Sequence, residues 1–496
     1  MALVFYSTRT MKTRHISCLL LLCTVIHSGG KEVPLIDMQA MRDAGTLDVD
    51  VVKDWHVVEG EVATRQKIIT IHVGELLPDR AYRVPVRMIV PLERKARGFH
   101  LTGGHRMDSI MRDARLRGVD TTLVRGGVGL VHTLVQVLQQ SGQAELGADA
   151  ERRFVETLNP HYSIQYWGWP ATLMRAVTAA YAEAGHFEPG KVALSGGSKN
   201  GASPSAALLH DTRMTAVHAG VSPIWESPLR LCDRAAWDAL EAYNKAYTKQ
   251  SGQADDPRML NHPFLGGTFG PIYNRQALAA GHSWEDLRRL ALRMKDHVFI
   301  SRHLEALRAR KVDLCFQPGT HDFVAFDLAW GGAHYPDIPL YLKANSGHGQ
   351  RNPHHASAKG EANLPGFLVQ HFFEGVEPML ASPLVETSVD GSRLLVTVTF
   401  KPGERAENGR LWWMFDRGPD GSAAYIRDLF PDDQWKDMHY DEARKAWTAE
   451  INLGTADASR VDFFTTHRKT LTYQSRDYRT YRSSPYTRVD LKRTGK

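Results

Sequence analysis

The chain has 496 residues, 43% of them apolar and 23% charged. That is room for about three domains, or one large and one smaller, and it excludes a disordered, collagen-like or coiled-coil chain. Four cysteines exclude a disulfide-rich scaffold. The absence of any apolar run of about 18 residues excludes a polytopic membrane protein. The net charge of +6 falls to +3 once Arg9, Lys12 and Arg14 are set aside. That balance, without an arginine-rich run interleaved with aromatics, gives no reason to expect nucleic acid as a partner.

Those three basic residues belong to a segment that reads as an export signal. Lys12 and Arg14 precede a short apolar run, Cys18 to Ile26, followed by Ser28, Gly29 and Gly30. A basic flank, a short apolar centre and small residues make a secretory signal peptide, here over residues 1–30. Its removal leaves no membrane span and predicts a secreted or periplasmic protein. No Asn-x-Ser/Thr site exists in the chain, which suits a bacterial envelope better than a eukaryotic secretory route. The mature chain keeps Cys232 and Cys315, read as two packed thiols in preference to a disulfide.

Residues 31–225 then alternate strands and helices. Tyr82 to Val90 ends at Pro91, Gly98 to Thr102 runs into Gly103-Gly104-His105, and Thr121 to Val124 reads as a further short strand. Pro170 opens a helix with Leu173, Val177, Ala180 and Tyr181 on one face. The Tyr166-Trp167-Gly168-Trp169 cluster before it reads as core rather than a sugar platform. Lys191 to Leu194 leads into Gly196-Gly197-Ser198-Lys199-Asn200-Gly201, then a small-residue helix from Ala202 to His210 and a strand from Thr215 to Val221. This is the rhythm of a parallel sheet.

Residues 226–300 interrupt that rhythm with helical segments and read as a cap. Ser283 and Asp286 form a capping box, with Leu287, Leu290, Ala291 and Met294 as the apolar face behind it. The sheet resumes within 301–379, at Val312 to Phe316 and Ile338 to Lys343. Residues 380–496 change character: short alternating strands around Leu394 to Phe400, Leu411 to Phe415, Trp447 to Ile451 and Val461 to Thr465 read as a β-sandwich.

Ser198 carries the chemistry. A serine needs a base beside it and donors aimed at the developing oxyanion. A sharp strand-to-helix turn flanked by small residues lifts its hydroxyl off the sheet edge. Here the second glycine is displaced by one place, giving Gly-x-Ser-x-x-Gly, with Asn200 at the usual glycine position. A phosphate loop is disfavoured because position 202 is alanine rather than lysine, and the dinucleotide pattern fails at Ser198 itself. In an α/β hydrolase the acid and the histidine follow late strands in the order Ser, Asp, His. Asp322, after the strand ending at Phe316, is the predicted acid. His348, after the strand near Leu342, is the predicted base. Asp327, His321, His334, His354 and His355 are their rivals. The N–H groups of Lys199 and of Gly104 are the predicted oxyanion hole. His354-His355 lacks a carboxylate at ligand spacing, so neither a metal nor any other cofactor is expected.

Val192 to Gly201, then His210-Asp211-Thr212-Arg213, Gly319-Thr320-His321-Asp322 and Gly347-His348, together resemble the PhoPQ-activated pathogenicity-related proteins. That family implies an exported α/β-hydrolase fold with a small β-rich C-terminal part. It more typically has arginine where Asn200 stands and tryptophan where Ala202 stands, which points to a divergent branch. The Gly-x-Ser-x-x-Gly spacing also resembles glucuronoyl-type carbohydrate esterases. The resulting expectation is an α/β-hydrolase fold with a helical cap and a C-terminal β-sandwich-like domain. Its function would be that of a secreted serine hydrolase of small-molecule or glycan-linked esters. A secreted peptidase of the same fold, or a non-catalytic signalling or binding protein that retains it, is the alternative.

Overall fold

A computed structural model describes residues 34–140, 143–221, 223–250, 274–348, 360–454 and 457–491. The expected export signal therefore lies outside the described residues, as do His354 and His355. Leu35–Lys496 form one unit.

Eight strands make the main sheet: β1 Asp50–Val58, β2 Thr64–Leu77, β3 Arg80–Pro91, β4 Ala96–Thr102, β5 Gly129–Thr133, β6 Phe187–Gly197, β7 Ala216–Gly220 and β8 Asp313–Phe316. They lie in the order β1-β2-β3-β5-β4-β6-β7-β8. Pairing is antiparallel from β1 to β5 across β2 and β3, and parallel from β5 through β4, β6 and β7 to β8. Among the chain's helices are α1 Val119–Arg125, α2 Trp169–Ala182, α3 Lys199–His210, α4 Arg234–Gln250, α5 Asn274–Ala279, α6 Trp284–Val298, α7 Leu328–His334 and α8 Asn363–Phe372.

Strand alternation assigns the two faces. Phe99 and Leu101 of β4 join the apolar layer containing Leu173 and Val177 of α2 and Ala206 of α3. Ile89, Leu130, Ala193, Ala216 and Cys315 join the opposite layer with Leu123 of α1 and Phe367 of α8. With β2 counted as the first strand, the second is antiparallel, the third and fourth exchange places, and the rest run parallel. This is the α/β-hydrolase fold, with the cap helices α4, α5 and α6 inserted between β7 and β8. The capping box at Ser283 is formed in both directions, and Leu287, Leu290, Ala291 and Met294 are buried. Tyr166, Trp167 and Trp169 are core. Cys232 and Cys315 are buried thiols in separate clusters, not joined to each other.

Two expectations need correction. Thr121 to Val124 is the body of helix α1, not a strand. All four residues are buried because α1 lies between the sheet and α8 and receives a hydrogen bond at Thr122 from Arg476. A full turn of four consecutive buried residues shows no polar face that would mark a helix, and a β-branched run is then misread. Ile338 to Lys343 is extended but pairs only through bridges, Phe316 with Leu340 and Gly319 with Lys343. Pro339 has no N–H to give the ladder. Leu342 N–H instead donates to Ser483 Oγ, 2.8 Å, and Ser483 N–H to Leu340 O.

The C-terminal part is two antiparallel sheets. One contains β9 Leu384–Asp390, β10 Arg393–Thr399, β13 His439–Asp441 and β14 Ala446–Asn452. The other contains β11 Asn408–Phe415, β12 Trp435–Asp437, β15 Arg460–Tyr473, β16 Arg476–Ser483 and β17 Thr487–Asp490. Leu394, Val396, Val398, Leu411, Ile451 and Phe463 fill the space between them. The next residues along, Trp412 and Phe464, point to the other face and join the core of the hydrolase domain with Phe430 and Tyr486.

Candidate active site

In open α/β sheets the reactive groups collect outside the carboxyl ends of the strands. Ser198 stands at such an end, between β6 and α3. It holds φ 55° and ψ −131°, a conformation that a side chain resists. Gly201 and Ala202 donate their N–H groups to Ser198 O, both at 2.9 Å, so the helix begins immediately after it. The helix thus starts at Lys199, three residues earlier than the composition suggests.

The displaced glycine has a geometric reason. A Cβ on Gly196 would sit 2.1 Å from Asn200 O, and one on Gly201 would sit 2.7 Å from Gly196 O. Strand end and first helical turn therefore touch at Gly196 and Gly201, and position 200 need not be glycine. The Asn200 side chain instead turns to the end of β4, where a Cβ on Gly104 would meet Nδ2 at 3.2 Å. The loop carrying Gly104 and the turn carrying Lys199 are thus in contact through Asn200. This contact is not visible in the sequence.

Asp322 and His348 meet. His348 Nδ1 lies 2.9 Å from Asp322 Oδ1, and the carboxylate is nearly enclosed, its side chain 6% exposed. Val324 N–H donates to the same oxygen at 3.0 Å. With Nδ1 engaged, Nε2 is the ring atom left to exchange a proton with a nucleophile. The two loops are held together at Gly319, where a Cβ would be 2.2 Å from Ser346 O, and by His321 N–H donating to Ser346 O. The Phe323 ring lies against His348, centroids 4.6 Å apart. Among the described residues no hydrogen bond joins Ser198 to His348, a contact that free enzymes often leave long.

The rivals have other work. Asp327 is fully buried and bound by Arg230, 2.7 Å, and by Ser227. His321 Nε2 donates to Asp428 O, and His334 stacks on Trp330. His371 also pairs with an aspartate, Asp313 at 2.7 Å, but Asp313 begins β8 and so lies at the opposite strand end.

Electrostatics separate His348 from the histidines on β4, just after β4 and on β7. Burial holds His100 down to about 3 and His105 and His218 down to about 4, so all three are neutral. His348 moves the other way: its hydrogen bond to Asp322 raises it, against the opposing pull of burial and of the nearby Lys199 charge. Lys199 is itself lowered by burial, its ammonium 6.0 Å from the Trp169 ring centroid. The direction at His348 fixes a pH dependence. With His348 as the candidate base, which acts when neutral, kcat/KM is expected to rise with pH through a midpoint above the ordinary histidine value. The protonated pair's contribution to stability has the opposite sign: it is full below the unfolded value and lost as pH rises through the folded one. A kcat/KM profile with its acid limb at or below the ordinary histidine value would contradict this.

No group of three or more His, Cys, Asp or Glu among the described residues could hold a metal ion. No described helix is long and apolar enough to cross a membrane.

No known family's sequence model matches this chain, and no curated protein does. Solved structures are similar at low identity. Acetyl xylan esterase 1 from a Thermoanaerobacterium species is 14% identical over 66% of this chain and 89% of its own, with a TM-score of 0.35. A glucuronoyl esterase from Teredinibacter turnerae is 12% identical over 61% and 67%, with a TM-score of 0.32. Lipase A from Candida antarctica is 11% identical over 57% and 73%, with a TM-score of 0.31. Values this low carry nothing about activity, and the fold assignment rests on the strand order.

Proposed function

We propose that the protein is an exported serine hydrolase that cleaves a carboxylic ester, or a related acyl bond, through Ser198, His348 and Asp322. The observation that carries this reading is the His348–Asp322 hydrogen bond at the same sheet edge as a serine in a strained strand-to-helix turn. Ser198 Oγ attacks the acyl carbonyl carbon while His348 Nε2 takes the hydroxyl proton. The N–H groups of Lys199 and Gly104 receive the oxyanion. The tetrahedral adduct collapses, the bond to the alcohol oxygen breaks, and His348 returns the proton to that oxygen. Water then attacks the acyl-enzyme, giving its proton to His348, and the acid departs as Ser198 regains its hydrogen. Asp322 holds the imidazole in the tautomer that both steps require. The resemblance of the nucleophile turn to glucuronoyl-type esterases and to the PhoPQ-activated proteins points to a glycan-linked or other small ester outside the cytoplasm.

Fluorophosphonate labelling with site mapping tests it, together with hydrolysis rates for acyl esters and aminoacyl amides. Labelling at Ser198, absent in Ser198→Ala, with esters cleaved faster than amides, is the expected result. Preference for amides would make the protein a peptidase. A folded, unlabelled protein would leave a non-catalytic binding role.

A further inference from the structure

Between β11 and β12, residues 417–430 leave the sandwich and enter the hydrolase domain. Arg417, fully buried, donates from Nη2 to Thr320 O at 2.6 Å and from Nη1 to the Tyr486 hydroxyl at 2.7 Å. Its guanidinium lies 3.8 Å from the Tyr425 ring centroid. Thr320 is two residues before Asp322. The neighbouring His321 donates to Asp428 O at 2.8 Å. On the other loop, Asn345 makes a two-way bond with the Phe430 backbone: Nδ2 to Phe430 O and Phe430 N–H to Oδ1, each 2.8 Å. Asn345 is three residues before His348, and its own N–H donates to Thr320 Oγ1 at 2.9 Å. The same segment reaches the cap: Ala423 N–H donates to Asn244 Oδ1, and Tyr247 donates to Asp428 Oδ1, both from α4. One excursion of the C-terminal domain thus grips the acid loop, the base loop and the first cap helix.

We propose that residues 417–430 are a brace that sets the register of the Asp322 loop against the His348 loop, with Arg417 and Asn345 as its positioning residues. The C-terminal domain is then part of the catalytic machinery's support rather than an appended binding module. This rests on Asp322 and His348 being the acid and base of the proposed triad. The bonds from Arg417 to Thr320, from His321 to Asp428 and between Asn345 and Phe430 end on backbone carbonyls and an amide, which fix loop position rather than side-chain charge. The bonds made by Arg417 and Asn345 are enclosed, so each of these that is lost leaves a partner without water. Two loops that must agree within a fraction of an ångström are the place where such fixing matters.

Asn345→Ala tests the brace. The primary readout is the NMR titration of His348 in histidine-labelled protein, its resonance identified by its absence in His348→Gln. This readout needs no substrate and no fluorophosphonate reactivity. The hydrogen bond to Asp322 raises His348 above the ordinary histidine value, so the wild-type resonance is expected to titrate there. In Asn345→Ala most of that upward displacement is lost, because the Asp322 contact that causes it loosens. On an ester the enzyme accepts, kcat falls by about 10²-fold with KM within about two-fold. Arg417→Lys, which can still donate to Thr320 O, retains more of the displacement than Arg417→Met. Hydrogen exchange on the unaltered protein is the control free of folding risk: segments 319–323, 343–348 and 417–430 are expected to open together. A folded Asn345→Ala whose His348 titrates as in the wild type would overturn the proposal. So would independent opening of the three segments, whether or not Ser198 proves to be a nucleophile.

Discussion

Replacing Ser198 is expected to remove activity and to leave the fold intact, and the glycine replacement should make the protein more stable. Loss of a triad serine costs roughly 10⁶-fold in kcat, because attack, proton transfer and acyl-enzyme formation all fail together. Stability moves the other way because of the backbone. Ser198 holds φ 55° and ψ −131°, a region that costs a residue with a Cβ about 1–3 kcal/mol. Glycine adopts it freely but gives up about 0.5–1 kcal/mol of unfolded-chain entropy. Relief of strain outweighs that entropy, so Ser198→Gly should gain about 1 kcal/mol over the wild type. Ser198→Ala keeps the strain and should be near neutral. Ester hydrolysis and denaturant unfolding on the three proteins measure both effects. A Ser198→Gly protein less stable than Ser198→Ala would mean that the turn is not strained and that the serine is placed there for packing. Retained activity in both would remove Ser198 from the mechanism.

The strand-to-helix turn at the proposed nucleophile is legible in the sequence because its requirements are local. Gly196 and Gly201 must lack side chains to let strand end and helix start touch, and that leaves a printed pattern. The Asp322 and His348 loops are legible for a related reason: each follows an apolar run and carries glycines, and Gly319 is where the loops cross. The choice of Asp322 over Asp327 follows in sequence from its place just past the strand end, but the partner that occupies Asp327 does not: Arg230, 97 residues away, pairs with it. The brace is equally silent. Its hydrogen bonds join residues 85, 97 and 107 apart, and they end on backbone atoms that any residue would supply. Helix α1 is hidden for the opposite reason. Its four central residues, Thr121 to Val124, are all buried, and periodicity reports a helix only where buried and exposed positions alternate at helical spacing. Solvent contrast and steric exclusion write themselves into sequence; long-range backbone hydrogen bonds do not.

The two aspartates, five residues apart, should separate catalysis from stability. Asp322→Asn is expected to lower kcat by about 10⁴-fold with little change in unfolding free energy. Asparagine fits the same space, but its amide can donate to His348 Nδ1. The imidazole proton is then driven to Nε2, where the ring cannot accept from Ser198. The same exchange removes the charge that raises His348, so the residual activity should show its acid limb at lower pH than the wild type. Asp327→Asn should do the reverse. Asp327 and Arg230 are each about 1% exposed and bonded at 2.7 Å, and Arg230 also donates to Val324 O. Neutralising the aspartate leaves a buried guanidinium uncompensated, which costs about 3–5 kcal/mol. The folded fraction of Asp327→Asn should keep kcat within a few-fold, because Asp327 touches neither Ser198 nor His348. Denaturant titration and steady-state kinetics on the two variants measure this crossed pattern. If Asp327→Asn were the inactive but stable protein, the acid of the triad would be Asp327, and the His348–Asp322 bond would be a structural pair like His371–Asp313.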